Sequence, residues 1–88
     1  MKHLAFVRGG EAHVVSIADD EIVLSASIPT PPGSRHDATL ASGETVRFKS
    51  HGSHREEDGT FTIKGRLIDA KRELREALAM LVASLGER

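Results

Sequence analysis

Turn-forming residues at close intervals constrain this chain more than any other feature. Pro31-Pro32-Gly33, Ser42-Gly43 and Asp58-Gly59 each interrupt a run whose apolar residues recur at every second position. That alternation is the signature of a half-buried strand. After Ile68 the period changes. Leu74, Leu78, Leu81, Val82 and Leu85 recur at i, i+4, i+7, i+8 and i+11, which is the buried stripe of one amphipathic helix. Strands followed by a single closing helix predict a small, mainly β domain with a C-terminal α-helix. At 88 residues the whole chain, 1-88, reads as one domain with strands over about 3-68 and a helix over about 70-85.

The runs can be assigned faces. His3 to Arg8 places Leu4 and Phe6 on one side, and Gly9-Gly10 turns the chain. In Glu11 to Ala18 strict alternation groups His13, Val15 and Ile17. Asp19-Asp20 is a polar break of hairpin length. Glu21 to Ile28 sets Ile22, Leu24, Ala26 and Ile28 against Val23, Ser25 and Ser27. Pro29 to Ser34 contains all three prolines and is excluded from a sheet, because proline has no backbone donor. His36 to Ala41 turns Ala38 and Leu40 inward. Glu44 to Ser50 turns Val46 and Phe48 inward and Arg47 and Lys49 outward. His51 to Gly59 reads as a polar hairpin tip. Thr60 to Ile68 sets Phe61, Ile63 and Leu67 against Thr62, Lys64 and Arg66, with Gly65 on the inner face where a bend or a close backbone approach is expected. Asp69 is the expected N-cap of the helix, and Gly86 its stop.

Composition narrows the chemistry. The chain has no Cys, which removes disulfides, thiolate metal sites and a Cys nucleophile, and fits a reducing cytoplasm. Twelve basic against thirteen acidic residues give a net charge of -1, without the basic excess typical of nucleic-acid binders. Trp and Tyr are absent, so base stacking would rest on three Phe. No apolar run approaches the roughly 18 residues of a membrane span, and the N-terminal apolar stretch is too short for a signal peptide.

Candidate sites are sparse. His51-Gly52-Ser53-His54, with His36, invites a metal reading, but tetrahedral zinc needs three or four convergent ligands. Solvated loop histidines are the expectation, with no metal. Asp19-Asp20-Glu21 and Glu56-Glu57-Asp58 lack the alternating ligands and glycine of a calcium loop and read as turns. No Gly-x-Ser-x-Gly elbow is present, and Gly9-Gly10 lacks the lysine and helix of a phosphate loop. No catalytic residue and no cofactor are expected. What remains is a cationic outer face formed by Arg47, Lys49, Lys64 and Arg66, with Arg55 near it, suited to an acidic protein surface or a phosphate-bearing ligand.

Three passages carry a family likeness. Val14-Val15-Ser16-Ile17-Ala18-Asp19-Asp20-Glu21-Ile22-Val23-Leu24, Ile28-Pro29-Thr30-Pro31-Pro32-Gly33-Ser34, and Ile63-Lys64-Gly65-Arg66-Leu67-Ile68-Asp69 running into Arg72-Glu73-Leu74-Arg75-Glu76-Ala77-Leu78 together resemble a PilZ domain. The likeness spans about Glu11 to Leu85. It implies a six-stranded antiparallel β-barrel with a C-terminal helix, and a family that commonly senses cyclic di-GMP in bacteria. The family's ligand motif is Asp/Asn-x-Ser-x-x-Gly. The matching positions here are Ser16, Ala18 and Glu21, all changed. The upstream Arg-x-x-x-Arg is also missing, since Arg8 is followed four residues later by Ala12. Lost with it are guanidinium forks that grip phosphate and stack on bases. The resemblance therefore implies a degenerate, non-enzymatic member. Its expected role is a cytoplasmic protein-interaction or regulatory module in bacterial signalling or motility. Its partner is another protein or a second copy of the chain, contacted through Arg47, Lys49, Lys64 and Arg66 or an exposed sheet edge. Two alternatives stand beside it: a cyclic di-GMP sensor built from Arg8, Arg35 and Arg66, and a small nucleic-acid-binding barrel.

Overall fold

The structure, a computed structural model, describes residues 4–7, 9–40 and 42–86, with side chains through Val82. Six strands, β1 Leu4–Phe6, β2 Glu11–Ala18, β3 Glu21–Ala26, β4 Arg35–Leu40, β5 Thr45–Arg55 and β6 Phe61–Leu67, precede one helix, α1 Arg72–Gly86. The strands close into a barrel in the order β1-β2-β3-β6-β5-β4, and every neighbouring pair is antiparallel. The mainly β architecture with a C-terminal helix is the one the strand and helix periods predict, and the closed six-stranded barrel is the one the family resemblance implies.

Period-two writing explains the interior. Ile22, Leu24 and Ala26 of β3, Ala38 and Leu40 of β4, Val46 and Phe48 of β5, and Ile63 and Leu67 of β6 all point inward and are buried. Phe48 is fully enclosed and meets Phe6 at a ring separation of 6.2 Å. Gly65 lies opposite Ser50 in the β5–β6 register. A Cβ at that position would stand 2.7 Å from the Lys49 carbonyl oxygen and 3.1 Å from Phe48 Cδ2. The close approach expected of Gly65 is therefore real: the missing side chain lets β5 and β6 curl around Phe48.

Two β-bulges overturn details of the face assignment. On β2, Val14 pairs with Leu24 and Ser16 with Val23, so Val15 is an extra residue. The inward residues are Ala12 and Val14, not His13 and Val15, and Val15 is 46% exposed. Ile17 regains the inner side only because the bulge shifts the phase. On β5, Ser50 pairs with Gly65 and Gly52 with Lys64, leaving His51 unpaired in the ladder. Gly52 has φ of 126°, a conformation L side chains rarely adopt. Past this bulge the strand continues to Arg55, so most of the predicted hairpin tip is strand. The turn shrinks to Glu56–Thr60, closed by Glu56 N donating to Thr60 O at 2.8 Å.

The helix begins three residues later than its predicted cap. Asp69 sits at φ 53° and turns the chain away from β6. The first helical bond runs from Arg75 N to Lys71 O at 3.1 Å. Leu78 is completely buried and joins the barrel core, with Leu74, Leu81 and Val82 packed partly against it. Leu85 lies outside the described side chains. The Arg75 guanidinium reaches Asp20 at 3.0 Å and ties the helix to the β2–β3 turn. Half-exposed pairs of this kind contribute modestly, so Leu78 is the principal anchor.

Three substitutions measure these constraints. Gly65→Ala is expected to lower unfolding free energy by about 1–3 kcal/mol through overpacking against backbone that cannot yield, as read by urea denaturation. Leu78→Ala is expected to cost about 2–5 kcal/mol, whereas Arg75→Ala should cost about 1 kcal/mol or less. Equal losses in the two helix variants would displace Leu78 from its anchoring role.

Candidate functional site

Strand register assembles what the sequence scatters. Arg35 of β4 lies directly across from Lys49 of β5, and Lys49 lies directly across from Arg66 of β6. All three are exposed on the outer face. They form a row of three cations across three adjacent strands, with neighbouring Cα atoms about 5 Å apart. Among the described residues no ion pair engages any of them. Like charges in direct cross-strand register disfavour the sheet, so this row is an arrangement that a bound anion would relieve.

Arg47 stands apart from the row. It lies opposite Asp37, and its Nε donates to Asp37 Oδ1 at 3.0 Å. That hydrogen bond, then the charge of Asp37, holds the Arg47 pKa above its ordinary value. Arg47 thus already has an anion, and of the four expected contact residues it is the least available. Lys64 is exposed, lies opposite Gly52, and is two residues from Arg66 on the same face of β6. Of the three nucleotide-contact candidates, Arg35 and Arg66 meet in the row, and Arg8 lies outside the described residues. Barrel closure leaves no whole strand as an edge among the described strands, which disfavours strand addition as a docking mode.

The second feature is one that sequence reasoning missed. The proline loop between β3 and β4 is stapled to β5 by hydroxyl groups. Thr30 is buried, and its Oγ1 lies 2.7 Å from Ser50 Oγ. Ser50 Oγ also accepts from Gly52 N at 3.0 Å. Ser53 Oγ accepts from Thr30 N and donates to Thr30 O, both at 3.1 Å. Backbone bonds from Gly33 N to Ser50 O and from Ser50 N to Ser34 O, each 2.7 Å, complete the clasp. Between loop and strand runs an open trough of about 780 Å³, lined by Pro31, Pro32, His51, His54, Thr62 and Lys64 among others. The only hint of this in the sequence is Gly52, whose φ of 126° is one that other residues rarely adopt.

The histidines divide. His51 and His54 are exposed as expected, but on β5 rather than on a loop. His36 is not a solvated loop histidine. It is buried on β4, its ring stacks on Phe48 at 5.6 Å, and its Nε2 lies 2.7 Å from Ser34 Oγ. Ser34 Oγ donates its one proton to Pro31 O at 2.6 Å, so it accepts from His36 Nε2–H. His36 therefore braces the base of the proline loop. No group of three or more side chains suited to a metal is gathered among the described residues.

The acidic clusters serve turns. Asp19 takes a left-handed φ of 54° at the β2–β3 turn. Asp58 Oδ1 accepts from Thr60 Oγ1 at 2.6 Å and from Thr60 N at 3.0 Å. The side-chain bond, then the backbone bond, pulls the Asp58 pKa below its ordinary value. Ser16, Ala18 and Glu21, the positions matching the family's ligand motif, are exposed near the end of the β2–β3 hairpin. Glu21 lies across from Arg66 and ends the cationic row on its β3 side. No helix among the described residues is long and apolar enough to cross a membrane. No protein-family model matches the chain, and no curated protein or solved structure matches it significantly.

The hydroxyl staple can be tested by deleting one partner and then both. Thr30→Val and Ser50→Ala should each cost about 1–3 kcal/mol, because each strands a buried polar group. Their double-mutant cycle should show a coupling of at least about 0.5 kcal/mol. Strict additivity in chemical denaturation would mean the hydroxyls do not act as a pair.

Proposed function

We propose that this chain is a non-enzymatic, PilZ-like binding module. It works in the cytoplasm of a bacterium as an adaptor in signalling or motility, docking an acidic protein partner on its cationic barrel face. The observation that carries this reading is the row Arg35–Lys49–Arg66, exposed, aligned by register, and joined to no carboxylate among the described residues. The barrel and its closing helix support the family resemblance. The altered positions Ser16, Ala18 and Glu21 support an adaptor over a cyclic di-GMP sensor, since Glu21 sets a carboxylate where an anion would have to sit.

Charge reversal tests the face. Lys49→Glu with Arg66→Glu should leave the circular dichroism spectrum and melting temperature near those of the parent. Binding to an immobilised poly-glutamate surface at low salt should fall to about a tenth or less, given contributions of ~0.2–1 kcal/mol for each exposed charge pair removed and repulsion added. Arg47→Glu should have the smaller effect, because Asp37 already occupies that cation. Unchanged binding by the double variant would remove this face from the reading.

A second reading has its own support. Arg35 and Arg66 flank Lys49 at a spacing that two phosphates could bridge. A calorimetric titration with cyclic di-GMP separates the two readings: saturable heat that vanishes in Arg66→Ala favours the sensor. The nucleic-acid reading loses support, since Phe6 and Phe48 are buried and Phe61 half-buried, leaving no exposed ring for bases to stack on.

A further inference from the structure

The trough beside the proline loop and the cationic row are one surface. Lys64 joins them: it lines the trough and lies two residues along β6 from Arg66 of the row. We propose that this combined surface binds an extended acidic segment of a partner protein. The segment places carboxylates at two alternate positions over Arg66 and Lys64, and an apolar side chain two residues further on in the trough. This inference rests on the adaptor reading and specifies its partner.

Spacing supplies the first argument. The outward residues Thr62, Lys64 and Arg66 follow one another at every second position of β6. In extended chain, alternate residues lie about 6.6 Å apart. A peptide laid along β6 in extended form therefore brings side chains i, i+2 and i+4 over Arg66, Lys64 and Thr62 in turn. The first two partners are cations. The third lies in the trough, where Pro31, Pro32 and the ring of His54 form a largely apolar wall.

Rigidity supplies the second. The trough walls are held by Thr30, Ser50 and Ser53 hydroxyls and by two 2.7 Å backbone bonds, so the site exists before any ligand arrives. Pre-organisation reduces the ordering cost of binding. Shape supplies the third. The trough is open along its length, whereas small-molecule sites bury most of their ligand. An open trough with a cationic end suits one apolar side chain of a longer segment whose acidic residues lie outside. Charge complementarity also favours acidic over basic or neutral segments: Lys49 and Arg35 add to the positive potential around Arg66.

The test uses fluorescent synthetic peptides on the intact chain, read by anisotropy at two salt concentrations. The probes are Asp-Ser-Asp-Ser-Phe and its reversed order Phe-Ser-Asp-Ser-Asp. Their controls are Asp-Ser-Asp-Ser-Ser, which lacks the anchor, and Asp-Asp-Ser-Ser-Phe, which breaks the spacing. One of the two alternating orders should bind about tenfold tighter than either control, the factor expected for partial burial of one aromatic side chain. That advantage should be lost in Lys64→Glu, whose exposed position keeps the fold intact. Equal binding of all four peptides, abolished by Lys49→Glu with Arg66→Glu, would overturn the inference and leave the adaptor reading standing. Binding of none of them, with poly-glutamate binding also indifferent to the charge reversals, would overturn both. Displacement of the peptide by cyclic di-GMP at low concentration would assign the surface to the nucleotide instead.

Discussion

Closure of the ring through a strand of three residues is the constraint on which the rest depends. β1 pairs with Glu11 and Ala12 of β2 on one side and with Ala38 to Leu40 of β4 on the other, so Leu4, Ala5 and Phe6 join the two ends of the sheet. With that strand in place the described sheet has no edge, and its apolar side chains converge on one core. The helix adds Leu78 to that core instead of building one of its own. A small domain buries a smaller share of its surface than a large one, and here a single close-packed cluster around Phe48 must serve both barrel and helix. Closure also limits how the molecule can bind. No whole strand among the described residues is left as an edge, which shifts recognition towards outward side chains and loops.

The bulges and Gly65 give that barrel its shape, and the same devices make the candidate site. Extra residues increase local twist and bend a strand. At His51 the bend carries the last third of β5 towards the proline loop, where Ser50 and Ser53 engage Thr30 and Gly52 N donates to Ser50 Oγ. The trough is thus a by-product of curvature, fixed by hydroxyl groups that leave no buried side-chain nitrogen or oxygen unsatisfied among the described residues. His36 continues the same support from beneath, through Ser34 to Pro31.

What could be read from the sequence follows the range of the physics involved. Inward Ile22, Leu24, Ala38, Val46, Phe48, Ile63 and Leu67 were legible because alternation is a local property of each strand. His36 was also within reach, since it shares parity with Ala38 and Leu40, but its polarity argued for a solvated loop. Val15 misled for the opposite reason: an apolar residue at the expected interval takes no account of an inserted one. Burial of Thr30 inside a proline-rich loop depends on Ser50, twenty residues away, and no local pattern announces it. The cations show the same division. Arg47, Lys49, Lys64 and Arg66 were legible as outward residues of their own strands. That Arg35 joins Lys49 and Arg66 while Arg47 is taken by Asp37 is decided by register alone.

Register also decides how the charges of this face are arranged. A sheet face whose charges existed for solubility would intersperse its signs, as Arg47 and Asp37 do. Across the next rung the signs do not alternate: Arg35, Lys49 and Arg66 follow one another before Glu21 ends the row. Mutual repulsion of that row weakens the same β4–β5–β6 pairing that the core depends on, yet the arrangement sits beside a trough whose walls are locked by hydrogen bonds. On the proposed reading, an anionic and partly apolar partner segment spans the charge row and the recess beside it. Neither feature alone would select a partner: cations attract any acidic surface, and an open trough holds any apolar side chain weakly. On the proposed reading, their fixed separation along β6 converts two weak preferences into one specific one.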